Sequence, residues 1–348
     1  MSGESAETPL RVAVLAPVSW RVPPRHYGPW EQFASLLTEG LVAKGIDPAN
    51  TTLFASADSV TSGRVGSVVA RGYSEDPEVE PKVAECLHIA HAFERAGEFD
   101  LIHNSFDFLP LTYSELVDTP VLTTIHGFSS ERILPVYRRY NASGAYVAIS
   151  DADRHPSLDY VATIHHGIDT DAFSLQASPG GYLLFFGRIH PDKGTAEAID
   201  VAAAAGIPLV IAGIVQDQGY FDERVAPRVD GEQVTFVGPV GVAERSELLG
   251  GAHALLHLIG FDEPFGYSVV EGMACGTPVI AFRRGSMEEL IEDGMTGYLV
   301  DDVDGAVTAV GRAERLDRAA IRARAVARFG VARMVDDYLV AYAAVVKR

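Results

Sequence analysis

Residues 263–280 read Glu263-Pro264-Phe265-Gly266-Tyr267-Ser268-Val269-Val270-Glu271-Gly272-Met273-Ala274-Cys275-Gly276-Thr277-Pro278-Val279-Ile280. Phe265-Gly266 interrupts the chain, and apolar residues then recur at helical spacing from Val269 to Ala274. Gly276-Thr277-Pro278 ends this helix and leads into the β-branched pair Val279-Ile280. The stretch therefore predicts a turn, a short helix and a buried strand, a succession typical of α/β proteins.

Two carboxylates lie eight positions apart around this turn. The spacing predicts Glu263 in the loop and Glu271 in the first turn of the helix. A helix start offers free N–H groups and a positive dipole end to an anion, and carboxylates accept hydrogen bonds from sugar hydroxyls. This combination suits a nucleotide sugar. The alternative is a capping box, in which Ser268-Val269-Val270-Glu271 only satisfies the helix's own N–H groups, and spacing alone does not separate the two.

The segment Glu-Pro-Phe-Gly…Glu-Gly-Met-Ala-Cys-Gly-Thr-Pro-Val-Ile-Ala, with its Glu-x7-Glu spacing, resembles the retaining glycosyltransferases of family 4. Residues 285–300, which read Gly-Ser-Met-Glu-Glu-Leu-Ile-Glu-Asp-Gly-Met-Thr-Gly-Tyr-Leu-Val, extend the resemblance. It implies an α/β protein of GT-B architecture, in which two Rossmann-like, doubly wound domains face each other across a cleft.

Composition narrows the class of protein. A chain of 348 residues is too long for one ordinary core, so we expect two domains. The net charge of −19 argues against nucleic acid and against an anionic membrane as partners, and favours a soluble acceptor. No run of about 18 apolar residues occurs, and Met1–Pro9 is short and polar, which predicts a cytoplasmic protein without stable membrane insertion. Oligomeric state stays open.

Apolar β-branched runs alternate with amphipathic stretches in both halves, which favours parallel doubly wound sheets. The predicted strands of the first half are Arg11–Pro17, Thr51–Ser56, Asp100–His103, Pro120–His126 and Tyr146–Ser150, with helices at Trp30–Lys44 and Val83–Ala96. Those of the second half are Tyr182–Gly187, Pro208–Gly213, Val234–Gly238, Ala254–His257, Pro278–Phe282 and Gly297–Val300. Neither half has Gly-x-Gly-x-x-Gly after its first strand, which disfavours a nicotinamide or flavin dinucleotide.

We predict an N-terminal acceptor-side domain of residues 1–170 and a C-terminal nucleotide-sugar-binding domain of residues 171–330. Gly167–Gly181 is the predicted linker, since it holds Pro179-Gly180-Gly181 and few periodic residues. Ala319–Lys347 predicts two helices broken at Phe329-Gly330. The family resemblance implies that the last helix, about residues 331–348, packs back on the N-terminal domain.

The loop Gly187-Arg188-Ile189-His190-Pro191-Asp192-Lys193-Gly194 follows the first strand of the second half and ends where a helix begins. Two cations beside a helix start predict a diphosphate site, with a solvated helix start as the alternative. Only four lysines accompany 24 arginines in the chain, which favours a specific role for Lys193. The pattern resembles family 4, where this Arg and Lys neutralise the leaving diphosphate.

Two candidates lie in the first half. His126 ends a predicted strand and is followed by Gly127. A lone histidine at the end of a strand is more often structural than catalytic. The family resemblance implies instead that His126 contacts the donor sugar or its phosphate. The loop Val22-Pro23-Pro24-Arg25-His26-Tyr27-Gly28-Pro29-Trp30-Glu31 resembles the family's glycine-rich donor–acceptor loop, and the donor contact that this implies comes from Gly28 or a neighbour. Pro29 stands where relatives carry a second glycine, and the alternative is that Pro29 simply opens the following helix.

We expect neither a cofactor nor a metal. The Asp-x-Asp pairs at Asp151, Asp169 and Asp302 can hold divalent cations in other glycosyltransferases, but in a chain with 47 acidic residues they are more readily caps or solvated turns. His165 and His166 resemble the family's domain-junction motif and receive no catalytic role.

The resemblance implies a hexosyltransferase that moves a sugar, with retention and without a metal, from a nucleotide-diphosphate sugar to a small-molecule or glycan acceptor. UDP-sugar is favoured, and GDP-mannose stays open. The implied catalytic residues are His126, Arg188, Lys193 and Glu263; the implied donor contacts are Gly28, Gly187, Arg188, Lys193, Glu263, Phe265, Gly266, Tyr267 and Glu271. Nucleotide-sugar epimerases and pyridoxal-dependent phosphorylases share the architecture, and a non-catalytic sugar-binding protein is a third alternative.

Overall fold

The computed structural model describes residues 9–25, 27–128 and 130–347. The predicted polar N-terminus therefore lies outside the described residues except for Pro9, as does His26 of the Gly28 loop. The described chain forms two compact units. Unit 1 comprises the described residues up to Ile149, Arg154–Gly167 and the described residues from Val331 onward. Unit 2 comprises Ser150–Asp153 and Ile168–Gly330.

The strands in chain order are β1 Val12–Leu15, β2 Thr51–Phe54, β3 Arg64–Gly66, β4 Leu101–Asn104, β5 Val121–Ile125, β6 Ala145–Ala148, β7 Tyr160–Thr163, β8 Leu183–Phe186, β9 Leu209–Ala212, β10 Val234–Gly238, β11 Ala254–His257, β12 Val279–Phe282 and β13 Gly297–Val300. The α-helices are α1 Pro29–Ala43, α2 Pro81–Glu94, α3 Leu134–Arg139, α4 Thr195–Ala205, α5 Gln218–Tyr220, α6 Val242–Gly251, α7 Tyr267–Ala274, α8 Met287–Leu290, α9 Val303–Ala313, α10 Arg318–Phe329 and α11 Val331–Val346. Short 3₁₀ segments include Pro48–Asn50, Leu109–Leu116, Thr170–Ala172 and Pro191–Lys193.

Unit 1 is built on a parallel sheet of seven strands in the order β3-β2-β1-β4-β5-β6-β7. Successive residues of β1 point to opposite faces, and both faces are covered. Val12 and Val14 pack with α1 and α11, whereas Ala13 and Leu15 pack with α2. This double coverage explains why every residue of β1 is apolar and buried.

A buried polar network attaches α11 to the unit 1 sheet. His103 Nδ1 lies 2.6 Å from the Tyr342 hydroxyl, and His103 Nε2 lies 2.8 Å from Thr124 Oγ1. Thr124 Oγ1 in turn lies 2.9 Å from the Tyr338 hydroxyl. Each of these four side chains is buried and hydrogen-bonded, so the last helix is held by specific contacts as well as by apolar packing.

Unit 2 is built on a parallel sheet of six strands in the order β10-β9-β8-β11-β12-β13. Residues of α4 and α9 form one core cluster with β8, β9 and β11. As in other open parallel sheets, the loops at the carboxyl ends of these strands are the favoured place for a ligand. The predicted candidates Gly187, Arg188, Lys193 and Glu263 follow β8 and β11 at this edge.

The predicted α/β fold class with two doubly wound sheets is confirmed. Strands β10, β11 and β13 have the predicted bounds, and the helix break between Phe329 and Val331 is present. The edge strands β3 and β7 were not predicted. The predicted linker Gly167–Gly181 is not an exposed connection, because two of its residues, Ile168 and Phe173, are buried in unit 2.

Candidate active site

The loop after β8 is shaped by close backbone approaches. A Cβ on Gly213 would lie 1.8 Å from the Gly187 carbonyl oxygen, and a Cβ on Gly194 would lie 1.9 Å from the Leu258 carbonyl oxygen. Gly194 also has a left-handed φ of 74°. By contrast, a Cβ on Gly187 itself would meet nothing closer than the Phe185 ring at 3.9 Å. The loop is therefore anchored at its end and leaves room above Gly187 for a ligand.

The two predicted motifs of unit 2 meet in an ion pair. Lys193 Nζ donates to Glu263 Oε2 at 2.6 Å, and the two side chains are only 14% and 15% exposed. The ammonium also lies 4.5 Å from the centroid of the Phe261 ring. An ammonium is a compact charge with three donors on a flexible stem, so Lys193 can change partners when another anion is present.

Arg188 lies on the same loop as Lys193, half-buried, and donates through Nη1 to Gln216 Oε1. Gln216 is neutral, so this contact orients the guanidinium without neutralising it. Arg188 thus keeps an uncompensated charge, and its pairing with a phosphate stays a prediction.

The turn that carries Glu263 is held from behind by the segment that follows β12. Ser286 N donates to the Glu263 carbonyl oxygen at 2.9 Å, and Ser286 Oγ donates to the Phe265 carbonyl oxygen at 2.6 Å. A Cβ on Gly285, whose φ is +54°, would lie 2.4 Å from both the nitrogen and the oxygen of Glu263. This packing explains why Gly285-Ser286 accompanies the Glu-Pro-Phe-Gly turn in the sequence.

Helix α7 begins one residue after the expected chain break, and this corrects two predictions. Gly266 is its N-cap with φ 101°, and Tyr267 is its first residue. Glu271 is therefore the fifth helical residue and lies in the second turn, not the first. The capping-box alternative is wrong, because Ser268 lies inside the helix and the Glu271 carboxylate accepts from Arg245 instead.

Glu271 is a buried carboxylate with a single cationic partner. Arg245 Nη1, on α6, donates to Glu271 Oε1 at 2.9 Å and to Oε2 at 3.2 Å. Burial raises the pKa of Glu271, and the charge and hydrogen bond of Arg245 oppose this rise. Of the predicted donor contacts in this turn, Phe265 is buried, whereas Gly266 and Tyr267 are half-buried at the helix start.

His257, at the end of β11, is a buried histidine that the sequence did not single out. Its Nε2 lies 3.8 Å from Glu263 Oε2 and has no hydrogen-bond partner among the described residues. Burial lowers the pKa of His257 to about 4; Glu263 opposes this shift and Lys193 reinforces it. The imidazole is therefore neutral at neutral pH.

Gly28 and Pro29 form the start of α1 in unit 1. Gly28 is the N-cap with φ 148°, and Pro29 is the first helical residue, so the alternative in which Pro29 opens the helix is confirmed. A Cβ on Gly28 would lie 2.8 Å from Glu31 Oε2. Burial raises the pKa of Glu31 to about 7, although N–H groups of the backbone, including that of Trp20, oppose the rise.

His126, also in unit 1, lies inside an aromatic stack. Its ring is 5.3 Å from Trp30 and 5.1 Å from His166, nearly parallel to both, with the Phe33 ring edge-on at 4.8 Å. His126 Nδ1 lies 3.3 Å from His166 Nε2. Burial lowers the pKa of His126 to about 3, so this side chain is an uncharged hydrogen-bonding group rather than a cation.

A cavity of about 50 Å³ in unit 1 adjoins His126 and is lined by Trp30, Phe106, Asp107, Phe108, Thr124, His126, Gly127, Ile133 and Tyr137. Asp107 is its one acidic lining residue. Its Oδ1 accepts from Leu109 N at 2.7 Å, and burial raises its pKa to about 6.

The candidate set is thus divided between the units. Gly187, Arg188, Lys193, Glu263, Phe265, Gly266, Tyr267 and Glu271 lie in unit 2, and Gly28 and His126 lie in unit 1. Sequence reasoning missed Arg245, His257 and Gln216 as partners of these residues. Arg245 and Gln216 are distant in sequence from the residues they contact, and His257 lies at the end of an apolar strand. No local spacing therefore indicated these contacts.

Within residues 9–25, 27–128 and 130–347, no three His, Cys, Asp or Glu side chains are grouped so as to hold a metal ion. Asp302 caps α9 by accepting from Gly305 N at 2.8 Å, which confirms the cap interpretation at this position. Asp169 caps the 3₁₀ segment Thr170–Ala172 by accepting from Asp171 N at 3.0 Å. None of the helices in the described part of the chain is long and apolar enough to cross a bilayer.

Comparison with known proteins gives a family match for part of the chain. The model described as Glycosyl transferases group 1 matches residues 169–321. D-inositol 3-phosphate glycosyltransferase of Mycolicibacterium smegmatis is 33% identical over 222 residues, which cover 56% of this chain and 49% of that protein. The chain thus matches about half the length of that relative. Phosphatidyl-myo-inositol mannosyltransferase of Mycobacterium tuberculosis is 26% identical over 357 residues, covering 91% of this chain and 90% of the relative.

A solved structure agrees in fold over nearly the whole chain. Anabaena Alr3699/HepE in complex with UDP matches with a TM-score of 0.74 and 18% identity, covering 96% of this chain and 100% of that one. The family match contains both the Gly187–Gly194 loop and the Glu263–Glu271 segment. The chain therefore has the GT-B fold of known glycosyltransferases, and its residues 169–321 match the glycosyl transferases group 1 family.

Proposed function

We propose that this enzyme transfers a hexose from a nucleotide-diphosphate sugar to a hydroxyl group of a soluble acceptor, with retention of configuration and without a metal ion. A UDP-sugar is the favoured donor. The observation that carries this proposal is the Lys193–Glu263 pair, in which a cation suited to a diphosphate and a carboxylate suited to sugar hydroxyls lie 2.6 Å apart.

The charges of unit 2 support this donor. Arg188 and Lys193 lie at the start and end of one loop, and both can pair with phosphate oxygens. Glu263, with the backbone of Phe265, Gly266 and Tyr267, would hold the sugar, and Glu271 would accept from the ribose hydroxyls. Two protein cations at the leaving group would offset the charge that develops on it, which is the task a metal performs in other enzymes.

The proposed chemistry takes place on one face of the sugar. The bond between the anomeric carbon and the phosphate oxygen breaks while the acceptor oxygen forms its bond on the same side. The acceptor hydroxyl gives its proton to the departing phosphate. Arg188 and Lys193 stabilise the nucleoside diphosphate that leaves.

The choice of donor rests on two relatives. The Anabaena structure contains UDP, which supports a UDP-sugar. The mycobacterial relative is named as a mannosyltransferase, which keeps GDP-mannose as the second donor to be tested. The inositol-containing names of both curated relatives make inositol derivatives the first acceptors to try, and a cytoplasmic location remains a prediction.

Incubation of the enzyme with UDP-glucose or GDP-mannose in excess EDTA, with and without inositol derivatives and simple glycosides, tests the proposal. Anomeric NMR signals of the product should show the configuration of the donor. Transfer abolished by the chelator and restored by manganese would refute the metal-independent mechanism. Without acceptor, conversion of the nucleotide sugar into its epimer would instead establish the epimerase alternative.

The turnover of two variants tests the roles proposed for Arg188 and Lys193. Lys193→Ala and Arg188→Ala should each lower kcat by about 100-fold with the fold intact, because each removes a charge that acts as the bond breaks. Unchanged turnover in either variant would remove that residue from the mechanism.

A further inference from the structure

The turn that holds Glu263 lies beside a buried histidine. The His257 side chain is 8% exposed, and its Nε2 lies 3.8 Å from Glu263 Oε2. This distance is too long for a hydrogen bond, and Nε2 has no other partner among the described residues. Buried polar atoms without a partner are rare in folded proteins. The unused Nε2 is therefore available to Glu263 if the partner of that carboxylate changes.

In this structure Lys193 is the partner of Glu263. Its Nζ lies 2.6 Å from the same oxygen, Glu263 Oε2, and the two charges compensate each other. His257 is neutral here because burial lowers its pKa to about 4. Glu263 and Lys193 are the charged groups that act on His257, the first favouring and the second disfavouring its protonation.

We propose that His257 replaces Lys193 as the partner of Glu263 when the diphosphate of a nucleotide sugar occupies the loop between β8 and α4. This inference rests on the proposed function. Each phosphate of a nucleotide sugar carries one negative charge, and Lys193 and Arg188 are the two cations of the loop. Once they pair with the diphosphate, Glu263 is left as a mostly buried carboxylate without a cation, which is costly unless a positive charge or a proton compensates it.

The proton goes to His257 rather than to Glu263. Departure of Lys193 removes the charge that disfavours protonation of His257 and leaves the Glu263 charge that favours it. An imidazole is also intrinsically a better base than a carboxylate, with an unperturbed pKa of about 6.5 against about 4.3. An approach of about 1 Å brings Nε2–H to the distance of about 2.8 Å that is typical of a charged hydrogen bond. Glu263 Oε1 then remains available to accept from a sugar hydroxyl.

His257 is in this account a positioning residue. It holds Glu263 toward the sugar after Lys193 has turned to the phosphate, and it does so by taking up a proton from solvent. Binding of the nucleotide sugar is therefore coupled to protonation. A histidine with a merely structural role in the β11 strand would show no such coupling.

Calorimetric titration of the full chain with UDP-glucose near pH 6, in two buffers of different ionisation enthalpy, measures this coupling. The diphosphate of UDP-glucose is esterified at both ends and does not titrate near this pH. We expect uptake of most of one proton per site by the unmodified enzyme and almost none by His257→Gln, which retains an N–H donor but cannot titrate. His91→Gln, on α2 in unit 1, is the matched control and should retain the uptake.

The outcomes separate this inference from the proposed function. Binding with the same enthalpy in both buffers would overturn the role of His257 while the donor site stands. Undiminished proton uptake in His257→Gln would overturn it as well. If neither UDP-glucose nor GDP-mannose binds, the proposed donor site fails and the inference fails with it. If His257→Gln does not fold, His257→Asn replaces it in the titration. The proton uptake of the unmodified enzyme can be measured without any variant.

Discussion

Arg245 donates through one nitrogen, Nη1, to both carboxylate oxygens of Glu271, at 2.9 and 3.2 Å. The Glu271 side chain is 8% exposed, so this guanidinium is what compensates a buried negative charge. The Arg245 guanidinium also lies 5.9 Å from the ring of Phe186, the last residue of β8. One arginine thus connects the strand before the cationic loop to the helix behind Glu263.

Removal of this arginine should destabilise the chain. Arg245→Met leaves Glu271 buried without a partner, and we expect a loss of about 2–3 kcal/mol in the free energy of unfolding. Glu271→Gln in the same chain removes the uncompensated charge and should recover much of that loss. Urea unfolding of the two single variants and the double variant measures the coupling; strictly additive effects would show that the pair contributes nothing.

Gly285→Ala should disturb the donor site through the backbone of Glu263. The new Cβ would lie 2.4 Å from the nitrogen and oxygen of Glu263, so the turn must shift. Gly206→Ala is the matched control, because Gly206 also has a left-handed φ, +67°, but a Cβ there meets nothing within 4 Å.

Both substitutions cost about 1 kcal/mol of backbone strain. Only Gly285→Ala should also weaken UDP-glucose binding, by about tenfold or more in a titration. Equal affinities of the two variants would mean that the position of Glu263 is not important for binding.

Glu31→Gln should change how stability depends on pH. Burial raises the pKa of Glu31 from 4.5 in the unfolded reference to about 7 in the folded chain. The stability contributed by the protonated carboxyl is therefore present at low pH and is lost as the pH rises through 7. Glutamine imitates the protonated form, so the variant should gain about 2 kcal/mol relative to the unmodified chain between pH 5 and pH 8.

Denaturant unfolding at these two pH values measures the effect. Glu78→Gln, at an exposed position, is the control and should follow the unmodified chain at both. A constant difference between Glu31→Gln and the unmodified chain would contradict the buried, protonated carboxyl.

The sequence was most informative where local pattern determines structure. Strands β10, β11 and β13 are mostly apolar, and their bounds were predicted correctly. Strand β3 was missed because it is only three residues long and two of them are exposed, and β7 was missed because none of its four residues is buried.

The site was predictable as a set of motifs but not as a set of pairs. Glycine spacing indicated the turns at Gly194 and Gly266, where the backbone requires them. The partners of Lys193 and Glu271 could not be predicted, because Glu263 lies 70 residues from Lys193 and Arg245 lies 26 residues from Glu271. Such contacts depend on how strands and helices are ordered in the sheet, which no local spacing encodes.

The central claim is that Lys193 binds the diphosphate of a nucleotide sugar without a metal. Titration of UDP-glucose into the unmodified enzyme, Lys193→Ala and Lys82→Ala, all in EDTA, tests it most directly. We expect Lys193→Ala to lose affinity by about tenfold to 100-fold, the value of a charged hydrogen bond, and the exposed Lys82→Ala to bind normally. Equal affinities of all three proteins, or binding that requires a divalent cation, would contradict the account.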